Sequence, residues 1–237
     1  MMKYIKEKDC TVFFYSQIGS NHSKKGVENQ DSVLFERVDL DRWFMVIADG
    51  VSSAPKSKLG SQAAIEVVRE ICIKLNGKDW DLEEIKVDLV RSWKRMFVNG
   101  WNDYATTLNF IIYVDKELLV GQIGDGLMVI EVDGEEEIYT EESDFYSSET
   151  DALAESVRRK AIVLTQKHVT KNVYAYLMSD GIGKEVAEEE RINLGKYLFR
   201  LIELNEDDVK KEIIPWIDNL DNKNGDDKTI GIIRWEE

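Results

Sequence analysis

The sequence predicts an α+β fold in which two mainly antiparallel sheets pack face to face, with a pair of helices outside each. Segment order is the first observation behind this: strand patterns come first, then two helical patterns, many strands, two more helices and a final strand. Hairpin signals are the second, because dipeptides such as Asp133-Gly134 join neighbouring strands without a crossover helix. The third is what the strands carry. Residues 43–50 (Trp-Phe-Met-Val-Ile-Ala-Asp-Gly) are an apolar run too short for a helix core that ends in an acid and a glycine. Residues 174–181 repeat the pattern and 118–126 repeat it more loosely, so three buried strands each deliver an Asp beside Gly: Asp49, Asp180 and Asp125.

Taken in order, 11–17 is aromatic and β-branched, hence a strand, and it runs into a loop of turn residues at 19–26. Asn29-Gln30-Asp31 precedes a strand at 32–38, and after a polar turn the strand from 43 follows, so the first fifty residues read as a β-meander. Gly60 and Ser61 open a helix whose Ala63, Ala64, Val67, Val68, Ile71 and Leu75 recur at helical spacing. Asp81, with Glu84 three residues on, is a capping-box start for a second helix with an apolar face of Leu82, Ile85, Leu89, Trp93, Met96 and Phe97. Strands are then predicted at 106–114, 118–123, 127–132 and 137–140, the Asp133-Gly134 pair being a plain turn. The stretch 140–151 is polar and irregular, 152–159 a short helix, and 161–166 and 173–179 strands. Helices at 186–204 and 207–220, the second bent or shortened by Pro215, lead through a loop to a closing strand at 229–235.

A chain of 237 residues with 43% hydrophobic and 10% aromatic residues buries a sizeable core, and without a repeat or linker we read 1–237 as one domain. The formal charge of −15, with no basic tract, argues against nucleic acid or an anionic membrane as partner. Cys10 and Cys72 stand far apart with no CxxC spacing and read as buried free thiols of a reducing compartment. No apolar stretch reaches membrane-spanning length and the amino-terminal residues lack a signal-peptide core, so the expected location is the cytoplasm.

Carboxylates delivered by separate strand ends suit hard divalent cations, which take a few such oxygens and fill their remaining positions with water. Unpaired acids gathered at one spot repel one another, and a cation is the natural compensation. Two neighbouring ions activate a water for in-line attack on phosphorus. The acids concerned are Asp31, Asp49, Asp125, Asp180 and one of Asp226 and Asp227. Against this stands the plainer reading of Asp-Gly as a turn dipeptide.

The chain resembles the metal-dependent protein phosphatases of the protein phosphatase 2C family, bacterial type. The fragments that carry the resemblance occur in the family's order: Asn29-Gln30-Asp31, Ala48-Asp49-Gly50, Gly60-Ser61, Ala105-Thr106-Thr107-Leu108, Ile123-Gly124-Asp125-Gly126, Ser179-Asp180-Gly181 and Asp226-Asp227-Lys228-Thr229. The resemblance implies a four-layer α/β/β/α sandwich and two Mg²⁺ or Mn²⁺ ions. Asp49 would bridge both ions, with the Gly50 carbonyl on the second. Asp180 and Asp226 would complete the first ion, and Asp31 would hold the second. Asp125, with Asp180, would favour a third, weaker ion. It further implies direct attack by a metal-bridging water on phosphoserine or phosphothreonine of a protein, and a monomer whose partner is a Ser/Thr kinase or its target.

Two positions depart from the family pattern. Where many members carry a phosphate-clamping arginine, five residues before the first aspartate, this chain has Gly26, leaving His22, Lys24 or Lys25 to supply positive charge; where some carry a histidine after the D-G element it has Val51. The segment 140–151 lies where the family has its flap and is expected to be short and flexible. The competing readings are a catalytically weak relative that binds phosphoproteins or regulates a kinase, and a metal hydrolase of small phosphate esters.

Overall fold

The computed structural model describes residues 1–141, 150–220 and 225–237. Among them the chain forms two sheets in which every pairing is antiparallel. The first holds six strands, β1 (Met2–Lys6), β2 (Cys10–Gln17), β7 (Leu127–Val132), β8 (Glu135–Tyr139), β10 (Asn172–Met178) and β11 (Lys228–Glu236), in the order β1-β2-β11-β10-β7-β8. The second holds five, β3 (Ser32–Asp39), β4 (Arg42–Ala48), β5 (Leu108–Val114), β6 (Glu117–Ile123) and β9 (Val163–His168), in chain order. The helices are α1 (Ser20–Lys25), α2 (Ser57–Lys74), α3 (Leu82–Arg95), α4 (Asp180–Gly183), α5 (Arg191–Leu201) and α6 (Glu206–Asp218).

Strand β4 shows why its sequence is apolar without a break. Trp43, Met45 and Ile47 point between the sheets, where Trp43 stacks on Tyr113 with ring centroids 5.4 Å apart. Phe44, Val46 and Ala48 point the other way, onto α2 and α3. A strand covered on both faces needs apolar residues at every position. β10 does the same in the other sheet, sending Val173, Ala175 and Leu177 inward and Tyr176 and Met178 toward α5 and α6. The predicted layering, helices outside two packed sheets, is the one observed.

Several details differ from the sequence reading. The first fifty residues are not one meander: β1 and β2 pair in the six-stranded sheet, and the chain crosses to the other sheet before β3. β1 itself escapes a hydrophobic scan because it is an edge strand carrying Lys3 and Lys6. The turn residues expected as a loop contain the short helix α1, closed by Gly26 at φ +67°. Helix α2 begins at Ser57, ahead of Gly60, and α3 stops at Arg95, leaving Met96 half-exposed beyond it. No α-helix forms over 152–159; Leu153 instead bridges to Thr106, and only a 3₁₀ turn follows at Arg159–Ala161. α5 starts only at Arg191, and Pro215 stays inside α6 on its exposed side. Residues 142–149 of the expected flap lie outside the described residues.

Candidate functional site

Asp31 comes from the loop leading into β3. Its backbone N–H donates to Asn29 Oδ1 (2.8 Å), while Asn29 Nδ2 donates to Ser16 Oγ (2.9 Å), a local turn that fixes where the acid points. The side chain is 2% exposed. Ser179 Oγ donates to its Oδ2 at 2.8 Å and accepts the Thr229 N–H at 3.0 Å, so neighbouring strands of the other sheet hold this carboxyl. Its Oδ1 finds no donor. Lys58, from the first turn of α2, donates to the Asp31 carbonyl at 2.7 Å.

Asp49 ends β4. Its carbonyl accepts from the Thr107 N–H (2.8 Å) and Thr106 Oγ1 (2.9 Å), and its N–H donates to Thr107 Oγ1 (3.2 Å). The following Gly50 bridges to Thr106, and a Cβ there would stand 2.8 Å from the Ser57 Cβ, which only glycine avoids. Asp180 is the first residue of α4, directly after β10. Asp226 and Asp227, before β11, have different surroundings. Asp227 is 3% exposed, accepts from the Gly19 N–H (2.6 Å) and the Gln30 N–H (2.6 Å), and contacts His22 Nδ1 at 3.0 Å. It is spent on tying α1 and the Asp31 loop together. Asp226 is only half-buried and feels the charge of Asp180.

These placements make one acidic cluster. Burial raises Asp49 well above the carboxylate range, and the charges of Asp31 and Asp180, both in direct contact with its carboxyl, raise it further. Burial, reinforced by the charge of Asp227, pushes Asp31 up to about 6, while the Ser179 hydrogen bond works the other way. Burial and then Asp180 raise Asp226. Asp125 sits in a turn held by Gly124 at φ +91° and by Gln122 Nε2 on the Gly126 carbonyl (2.8 Å). It joins the cluster through Lys184, whose Nζ lies 2.7 Å from Asp125 Oδ2 and 2.6 Å from Asp180 Oδ2.

The structure thus sets Asp31 and Asp180 each against Asp49, puts Asp226 within reach of the charge of Asp180, and reaches Asp125 by way of a lysine. His22 is buried on Asp227, and Lys24 and Lys25 are exposed at the end of α1. Among the described residues no three acidic, histidine or cysteine side chains already form a ligand set around one point. Donors of oxygen alone, one of them an orphaned buried carboxylate oxygen, nonetheless fit cations that take one or two carboxylates each and keep several waters. The sequence reading named the acids but gave no task to their neighbours. Asn29, Thr106, Thr107, Ser179 and Thr229 are the parts that aim them. Lys184 was overlooked, although four residues after Asp180 is the spacing at which helical side chains meet.

The family model for Protein phosphatase 2C matches residues 18–218, and the chain belongs to that family. No curated protein sequence matches it. Among solved structures, RsbX in complex with magnesium aligns with a TM-score of 0.66 at 13% identity, covering 99% of this chain and 100% of that one. The serine/threonine phosphatase PstP/Ppp of Mycobacterium tuberculosis aligns at 0.64 and 19% identity over 97% and 100% of the two chains. The PstP catalytic domain with two manganese ions aligns at 0.60 and 18% over 95% and 97%. Likeness at these identities shows that the fold is shared.

Proposed function

We propose that the chain is a Mg²⁺- or Mn²⁺-dependent phosphatase acting on phosphoserine and phosphothreonine of proteins. One observation carries the proposal: the carboxyls of Asp31 and Asp180 each lie against that of Asp49, with Asp31 Oδ1 left without a donor. Such an arrangement is costly without cations and suited to holding them. The family, and relatives solved with magnesium and with two manganese ions, support the same reading.

In it Asp49 would serve both ions, the Gly50 carbonyl and Asp31 would help hold one, and Asp180 and Asp226 would help hold the other. When bound, the ions supply a water acidified for in-line attack on phosphorus and draw charge from the phosphoryl oxygens. The protein's own part is alignment. Ser179 and Thr229 steady Asp31, Thr106 and Thr107 steady Asp49, and Asp227 with His22 and Gly19 fastens the loop that carries Asp226. His22 is engaged with Asp227, so exposed Lys24 and Lys25 are the cations offered to substrate phosphate. Lys25→Ala then raises KM and leaves kcat close to wild type.

The chain works as a monomer of one domain, 1–237, on a kinase or a kinase's target. Cys10 and Cys72, buried free thiols each pushed up to about 12 chiefly by burial, suit a reducing cytoplasm. Among the described residues no helix is long and apolar enough to cross a membrane. Hydrolysis of para-nitrophenyl phosphate with and without Mn²⁺, followed by a phosphothreonine peptide and a nucleotide, tests the proposal. It expects Mn²⁺-dependent turnover of the first two. No turnover points to a phosphoprotein binder, and turnover of the nucleotide but not the peptide to a small-ester hydrolase.

A further inference from the structure

We propose that Lys184 is a built-in cation of the acidic centre. Its ammonium occupies the space between Asp125 and Asp180 in place of a third divalent ion, so this chain takes two ions there and not three. The inference rests on the metal-dependent reading above and departs from the third ion that the family resemblance implies.

The geometry comes from α4. Asp180 opens that single turn and Lys184 caps it, with the Lys184 N–H donating to the Asp180 carbonyl at 3.1 Å. The side chain four residues on is thereby folded back over the carboxyl at the turn's start. Its Nζ meets Asp180 Oδ2 at 2.6 Å and Asp125 Oδ2 at 2.7 Å, both within charge-assisted hydrogen-bond range. Asp226 and Glu141 also feel its charge, so the ammonium stands in the field of four carboxylates from separate segments. Thr150 Oγ1, on Asp125 Oδ2 at 3.1 Å, adds a neutral donor to the same carboxyl.

Charge decides between lysine and metal. Asp125 and Asp180, the two carboxylates that would hold a third ion, already share the ammonium as their counter-charge. A further dication would have to expel the ammonium or sit against it as a like charge, after breaking two short ion pairs. A cation attached to the chain is also always present, whereas a weak third ion leaves as free metal falls. The occupancy of this position is therefore independent of metal concentration.

Calorimetric titration of Mn²⁺ into metal-stripped protein tests the assignment by counting ions, without reference to turnover. Wild type is expected to bind two equivalents. Lys184→Gln is expected to bind the same two and a third, weaker one, which Lys184→Gln with Asp125→Asn loses again. Coincident thermal unfolding of the three proteins would show that they share a fold, and Lys184→Met replaces Lys184→Gln if that variant unfolds early. A third equivalent in wild type, or none in either Lys184 variant, overturns the role of Lys184 while leaving the two-ion reading intact. Binding of no Mn²⁺ by any of them overturns both.

Discussion

A carboxylate taken out of water without a compensating charge raises its own pKa before it accepts the cost of ionising. Asp49 is in that position, with Asp31 and Asp180 against it. Asp49→Asn therefore separates function from stability. Catalysis is expected to vanish, because a carboxylate proposed to hold the metal is gone. Thermal unfolding in chelator at neutral pH is expected at or above the wild-type temperature, because a source of repulsion is gone too; an active Asp49→Asn enzyme would contradict the assignment. Ser179→Ala acts oppositely. It strips a donor from Asp31 and leaves the Thr229 N–H unpaired, and a buried unsatisfied group costs about 1–3 kcal/mol. Urea unfolding should show a loss of that size, and Mn²⁺ should bind more weakly. At this scale the sequence was most legible in Asp49 and Asp180, where an apolar run stops at an acid. It was least legible in Asp226 and Asp227, which are adjacent letters; only the Gly19, Gln30 and His22 contacts mark Asp227 as the structural one.

Elements differ in how far local sequence dictates them. Helix α3 is announced by Asp81, whose carboxylate accepts from the N–H groups of Glu83 (3.0 Å) and Glu84 (3.1 Å). Asp81→Ala is expected to cost about 1 kcal/mol, read as a lower urea midpoint at unchanged slope, with Mn²⁺ binding unaffected. Strands β4, β5 and β10 were legible because both of their faces are covered, which forces unbroken apolar runs. β1 and α1 were not, because neighbours rather than their own patterning hold them. β1 pairs along β2, and α1 is fastened by Gly19 and His22 to Asp227. The failed helix at 152–159 makes the same point: backbone bonds from Leu153 to Thr106 tie that segment to the residues just before β5 that support Asp49.

For the whole molecule, two sheets closing on one core bring acids from distant parts of the chain to a shared edge, and the charge gathered there makes stability depend on pH and metal. In metal-free protein Asp31 titrates near 6 when folded, against about 3.9 in an unfolded chain. Between those values the folded state holds the extra proton, so the stability from this group is complete below about pH 4 and is lost as pH rises through about 6. Burial shifts Asp49 and Asp226 the same way. Divalent ions bind the deprotonated forms and release those protons. The rise in Tm on adding Mn²⁺ should accordingly be larger at about pH 7.5 than at about pH 5; equal shifts would mean that these carboxyls are not where the metal binds. The layer architecture was legible in the order of strands and helices, since apolar patterning alone sets which faces must be covered. The meeting of the acids was not, because it depends on how strands from two sheets line up at one edge.

The most direct measurement is the rate at which chelator-treated protein releases phosphate from a phosphothreonine peptide as Mn²⁺ is returned. The account predicts no release without the ion, recovery that saturates with added Mn²⁺, and no recovery in Asp49→Asn. Release that is undiminished by the chelator, or restored equally in Asp49→Asn, would contradict it.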